Sequence, residues 1–152
     1  MLSSLFITHV VNEVGRVLER TGSTERVLVC EQARFGKALA AAGVPVVQVA
    51  SKRRSLRRRT GPRVYAYATQ LPVANASVSA LVGFGLGQRP DWSGLLWEWS
   101  RAVRSGGHVV MVDRADRAEL TRRALCSGLI DIEQSSAGRY VITSGAVVEL
   151  PG

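Results

Sequence analysis

The chain has no acidic residue between Glu31 and Asp91, yet that 59-residue stretch carries ten of its 20 Lys and Arg. The remainder holds all 12 acids and the other ten bases, so the net charge of +8 originates in this one segment. Other scarcities bound the function. Two cysteines, Cys30 and Cys126, are too few for a disulfide framework and fit a reducing, cytoplasmic compartment. Two cysteines and two histidines also lack metal-site spacing, so no metal is expected. There is no run of about 18 apolar residues, which leaves no candidate membrane-spanning helix. Asn12, Glu13 and Arg16 interrupt the apolar N-terminus, which does not read as a secretion signal. Only two of the 20 bases are Lys, and abundant Ala, Gly and Val point to a coding bias for Arg. Such a bias does not remove acids.

Apolar residues do occur in ordered patterns. Leu5, Val10, Val14, Val17 and Leu18 recur near helical spacing, which predicts an amphipathic helix over 3–20. A short buried strand over 26–30 is followed by an Ala-rich helix over 35–42, stopped by Gly43. Strands follow over 44–50 and 63–69, with a basic turn at 51–60 between them. A connector at 71–77 leads to a buried strand over 80–84. Ser93 is placed to cap a helix running to Arg104, which Ser105-Gly106-Gly107 would end. A strand over 108–112 comes next, and Asp113 or Asp116 can cap the helix beyond it, with Glu119 at capping-box spacing from Asp116. Two last strands, 129–134 and 140–148, form a hairpin. Repeated β-α alternation predicts a doubly wound, mostly parallel sheet covered on both faces. One domain is expected over 1–152, its N-terminal helix within 1–22 and its core within 26–150.

The runs Leu71–Val82 and Arg101–Asp113 resemble two segments of the class I S-adenosylmethionine-dependent methyltransferases. The run Leu71-Pro72-Val73-Ala74-Asn75-Ala76-Ser77-Val78-Ser79-Ala80-Leu81-Val82 is similar to that family's LPFxDxSFDxVV segment. Arg101-Ala102-Val103-Arg104-Ser105-Gly106-Gly107, continued by 108–113, resembles its RVLKPGGxLVLVD segment. The resemblance implies a Rossmann-like, seven-stranded mostly parallel sheet with a C-terminal antiparallel hairpin, and a cofactor beyond the carboxyl ends of the first strands. It also implies four cofactor-holding features, each of which departs here. In the first loop the family's acid falls on Val29 and its glycines on Glu31, Ala33 and Phe35, with Gly36 just beyond. The ribose-binding acid at the end of the second strand is replaced by Ala50, ahead of Ser51. Tyr67 stands near the adenine-side acid and Ser79 in place of the acid before the fourth strand. A hydrogen bond to a charged group is worth about 1.5–3 kcal/mol, so losing the ribose carboxylate and the close loop removes on the order of 3–5 kcal/mol. The expectation is a methyltransferase-like protein with no catalytic residues and no bound cofactor, acting as a binding or assembly subunit. The alternative is an active enzyme with a divergent S-adenosylmethionine pocket, resting on Glu31 and Asp91.

The basic segment supplies candidate partner-binding residues. Lys52, Arg53, Arg54, Arg57, Arg58, Arg59 and Arg63 place seven like charges within twelve residues, with Leu56 the one large apolar side chain. Such a run is either a solvated turn or the site of an anionic partner, an acidic protein surface or a nucleic acid. On the helix over 93–104, Leu95, Leu96, Trp99 and Val103 share one face, and Trp97 falls nearly opposite, beside Arg101 and Arg104. Trp97 is then either part of a protein or homo-oligomer interface or covered by the loop around Trp92. Cys30 reads as a buried core residue. Gly83, Gly85 and Gly87 resemble a phosphate cradle but read as a flexible loop.

Overall fold

The computed structural model describes residues 4–30, 32–51, 64–66 and 71–148, with side chains for 7–30, 32–49 and 71–148. Helix α1 (Ser4–Arg20) buries Val10, Val14, Val17 and Leu18, the face its spacing predicts. It closes where the Thr21 hydroxyl donates to the Val17 carbonyl at 2.8 Å and Gly22 takes a φ of 73°. The chain continues through β1 (Val27–Cys30), α2 (Ala33–Ala41), β2 (Val46–Ser51), β3 (Val64–Ala66), β4 (Val78–Phe84), α3 (Trp92–Ala102), β5 (Val103–Asp113), α4 (Arg117–Cys126), β6 (Ile130–Ala137) and β7 (Tyr140–Ala146).

One sheet runs in the order β3-β2-β1-β4-β5-β7-β6. Pairing is parallel from β3 to β5, whereas β7 pairs antiparallel with both β5 and β6. This is the mostly parallel sheet with a terminal hairpin that the alternation predicts, in the Rossmann-like arrangement that the resemblance implies. Central strands read as continuous apolar runs because both faces are covered. On one face Val27, Val29, Ala80, Val82, Val110 and Val112 pack under α1 and α2. On the other, Leu28, Cys30, Leu81, Val109 and Met111 pack under α3 and α4. Among the described residues, no helix is long and apolar enough to cross a membrane.

Four local expectations are corrected. Ser93 lies inside α3; Asp91 holds the cap position, and its carboxylate is engaged by Arg89 at 2.9 and 3.0 Å instead of capping. Helix α3 ends at Ala102, so Arg104 belongs to β5. The Ser105-Gly106-Gly107 run is not a helix stop but an irregular stretch of that strand. There Gly106 N–H donates to Val147, Gly107 accepts from Val147, and a Cβ on Gly107 would strike the Ser79 carbonyl. Between the two candidate caps, Asp116 caps α4, accepting from Ala118 N–H at 2.8 Å. Glu119 does not complete a capping box: its carboxylate is taken by Arg122 and Arg123, which hold it down at a pKa of about 2.

Candidate functional site

Between β1 and β4 the strand order reverses, so the connections leaving these neighbours diverge and open a crevice at their carboxyl ends. Only Glu31 and Gln32 separate β1 from α2, so the helix starts at once and brings Phe35 into its first turn. Phe35 is fully buried, and its ring meets that of Phe84, the last residue of β4, edge to face at 4.9 Å and 74°. An aromatic pair therefore bridges α2 to β4 beside the crevice. Gly36, next in sequence, serves another purpose: a Cβ there would run into the Gln48 amide of β2, so glycine lets the helix lie close on the sheet.

The other singled-out positions scatter. Val29 is buried in β1 between Gln48 and Val82, and Ala33 is the half-buried first residue of α2. Ala50 pairs with Tyr65 across β2 and β3. Glu31, Tyr67 and the bases Lys52, Arg53, Arg54, Arg57, Arg58, Arg59 and Arg63 lie outside the described residues. Ser79 is a correction. It sits near the amino end of β4, the far end of the strand from the crevice, where its hydroxyl donates to the Glu25 carbonyl and its N–H to that of Arg26. Its buried oxygen joins β4 to the turn before β1, a structural duty a charged carboxylate would perform poorly.

Trp97 stands clear of the Trp92 loop at 75% exposure. Arg101, expected beside it, is committed elsewhere. Its guanidinium donates to Glu98 at 2.6 and 2.8 Å, to the Leu71 and Val73 carbonyls, and to Asn75 at 2.7 Å. Glu98 in turn accepts from Leu71 N–H at 2.6 Å, and the paired guanidinium holds its carboxyl below the usual range. The Leu-Pro segment shared with the methyltransferases is thus fastened to α3 by an ion pair. Trp92 is covered by Arg122 and Arg123, 5.6 and 5.1 Å from its ring centroid.

Asp113 is the residue the sequence reading undervalued. It ends β5 at the same edge as Phe84 and is 2% exposed. Its Oδ1 accepts from Gly87 N–H at 2.9 Å, while Oδ2 is buried with no hydrogen-bond partner. Burial pushes its carboxyl above the ordinary value, against the pull of the Gly87 and Leu86 amides and the Arg123 charge. The glycine loop is accordingly a fastened turn: Gly85 adopts a φ of 73°, Leu86–Gln88 form one 3₁₀ turn, and Arg123 donates to the Leu86 carbonyl at 2.7 Å. A hint was present in sequence, since a carboxylate following an apolar strand beside a glycine loop is placed to bind its amides. Asp113→Asn, which keeps the acceptor and removes the charge, is expected to raise the thermal midpoint at pH 7. A raised folded pKa gives stability that is present at acid pH and lost as pH rises through it. The advantage of the variant should therefore shrink as pH falls through the raised folded value toward about 4, the ordinary aspartate range, and be gone below it. Scans from pH 3.5 to 8 decide it, and a gap that is constant or widens at low pH contradicts the assignment.

At the amino edge, Ser23 and the His108 Nδ1 lie 3.0 Å apart, and burial lowers the imidazole pKa. Cys30 is buried as expected, and Cys126 is exposed at the end of α4. No group of three His, Cys, Asp or Glu that could hold a metal ion occurs among the described residues.

This topology, with its crevice at the carboxyl ends of β1 and β4, is the fold of the class I S-adenosylmethionine-dependent methyltransferases, and 643 chains of solved structures match it. A SAM-dependent methyltransferase from Thermotoga maritima is 15% identical with a TM-score of 0.64, covering 94% of this chain and 98% of its own. Burkholderia thailandensis 1,6-didemethyltoxoflavin-N1-methyltransferase, solved with S-adenosylhomocysteine, is 11% identical with a TM-score of 0.68, over 91% and 78% of the two chains. PigF, solved with SAH, is 12% identical with a TM-score of 0.74, over 96% of this chain and 62% of that one. No family model and no curated protein matches the sequence. At these identities the likeness is one of fold.

Proposed function

We propose that this chain is a non-catalytic protein built on the methyltransferase fold, a cytoplasmic binding or assembly subunit that does not use S-adenosylmethionine. One observation carries the reading: the buried Phe35 ring, packed on Phe84, occupies the first turn after β1, where the fold's cofactor needs glycine backbone open to it. Val29 and Ala50, where the resemblance implies acids, support it. The residues present therefore fit the cofactor poorly. The exposed Trp97 supplies a large amphipathic side chain suited to a protein partner, a second copy or a catalytically active relative.

Isothermal titration with S-adenosylmethionine and S-adenosylhomocysteine, alongside a thermal-shift series, tests the reading. Neither ligand is expected to give measurable heat or move the midpoint at concentrations up to about 1 mM, which corresponds to a binding free energy weaker than about −4 kcal/mol. Micromolar binding of either would overturn the proposal. It would establish instead the second reading, a working methyltransferase with a divergent pocket, which the fold shared with ligand-bound enzymes favours.

A further inference from the structure

The sheet ends on β6, and among the described residues no strand lies beyond it. Ala137 and Tyr140 close the β6–β7 hairpin across Gly138 and Arg139, with Gly138 at a φ of 61°. A two-residue loop sets beside it a pair that exchanges both backbone bonds, and such pairs then alternate along an antiparallel ladder. Glu133, Ser135 and Ala137 therefore direct their backbone groups at β7, whereas Gln134 and Ser136 direct theirs outward. The side chains above and below are already held: Glu133 by Arg20 of α1 at 2.7 Å, Ser136 by Arg117 of α4, and Gln134 by the Arg117 carbonyl at 2.8 Å. What stays open is the backbone edge. Natural edge strands are blunted by Pro, Lys or bulges, and β6 has neither Pro nor Lys. Its bulge, between Ile130 and Glu133 where Asp131 takes a φ of 51°, leaves 133–137 regular.

We infer that two copies of this chain join through β6, antiparallel about a two-fold axis at Ser135, so that one sheet runs across the dimer. The charges select both the occupant and the register. Asp131 and Arg139 stand equally far before and after Ser135 in the sequence, both exposed and neither in an ion pair among the described residues. Rotation about Ser135 sets Asp131 of each copy opposite Arg139 of the other. It also sets Gln134 opposite Ser136, the residues whose backbone groups point outward, so that they exchange hydrogen bonds. The Ser135 hydroxyl, buried without a hydrogen-bond partner in the single chain, then lies at the axis beside its counterpart. A two-fold at Glu133 would instead oppose two like charges. The charge pattern of the strand is thus its own complement, the property an isologous interface requires. The inference goes beyond the proposed function: it concerns the sheet edge and holds whether or not the cofactor binds.

Sedimentation velocity of the full-length chain from about 1 to about 500 μM tests it, with monomer expected to give way to dimer over that range. Arg139→Glu and Asp131→Lys should each raise the dimer dissociation constant at least about tenfold, because each homodimer then holds two like-charge contacts. An equimolar mixture of the two variants should return to the wild-type constant, since both contacts of the mixed dimer are matched again. Asp131→Lys falls at a positive φ, so its fold is checked by circular dichroism. Ser136→Pro, which removes an outward N–H that no ladder bond uses, tests the same edge independently and should weaken the dimer by a similar factor. A chain that stays monomeric to about 500 μM overturns the inference. So does a dimer that Arg139→Glu and Ser136→Pro leave intact, or one that Trp97→Ala disrupts instead, which would place the contact on α3. A mixture of the two folded charge variants that associates no more tightly than either alone also overturns it.

Discussion

Replacing Phe35 with Ala should lower the free energy of unfolding by about 3–5 kcal/mol, the range for emptying a fully buried aromatic site. Phe35 is among the largest side chains with no exposure, and it belongs to the same buried cluster as Val29, Leu39 and Val82 on the α1/α2 face. The edge-to-face contact with Phe84 adds about 0.5–1.5 kcal/mol beyond area burial. Collapse of the site is limited, because α2 is already held close to β2 through Gly36. Urea unfolding at pH 7 measures the effect as a shift of midpoint at unchanged slope. Phe35→Leu, which refills part of the volume, should lose less. A cost below 1 kcal/mol for the Ala variant would mean that the ring does not belong to the core. The proposal that this position is closed to cofactor would then lose its carrying observation.

The second large effect is expected at Arg101. Substitution by Ala leaves Glu98, a mostly buried carboxylate, with the Leu71 amide alone, and releases the Leu71 and Val73 carbonyls and the Asn75 amide. About 2–3 kcal/mol is the scale for losing a charge-assisted hub of this kind. Arg101→Lys keeps the charge but not the fork, and should recover less than half of the loss. Because Arg101 and Glu98 act as a unit, the double variant with Glu98→Ala should cost clearly less than the two single losses added together. The Glu98 carboxyl is held below its ordinary range, so this contribution is present above about pH 4.5 and disappears as acid protonates it. Unfolding curves at pH 7 and pH 3.5 check both points. A loss under 1 kcal/mol at pH 7, or equal losses at both pH values, would show that the connector at 71–76 is held by its apolar contacts instead.

Much of the architecture was legible because it depends on periodicity. The helical spacing of α1 and the unbroken apolar runs of β1, β4 and β5 report which surfaces need burial, and burial on both faces of a sheet is itself a fold-class signal. Boundaries governed by special backbone were misread. The Ser105-Gly106-Gly107 run carries the signature of a helix end, yet its glycines are needed where β5 passes close to Ser79 and Val147. Side-chain destinations were misread for a related reason. Arg101 looks like a surface partner of Trp97 by helical phase, but the guanidinium is long enough to reach carbonyls about 30 positions earlier in the chain. Ser79 shares a motif position with an acid, yet the direction of β4 places it at the opposite end of the sheet from the crevice.

The sequence by itself determined the alternation of strands and helices, the two apolar layers, and the concentration of positive charge in one acid-free segment. These depend on residue type and spacing along the chain. Tertiary structure alone decided that Phe35 packs on Phe84, that Asp113 clasps Gly87, and that Arg101 belongs to the Leu71 connector rather than to Trp97. Each of those pairs is at least 26 residues apart, and such contacts are fixed by strand order and helix placement, which local spacing does not encode.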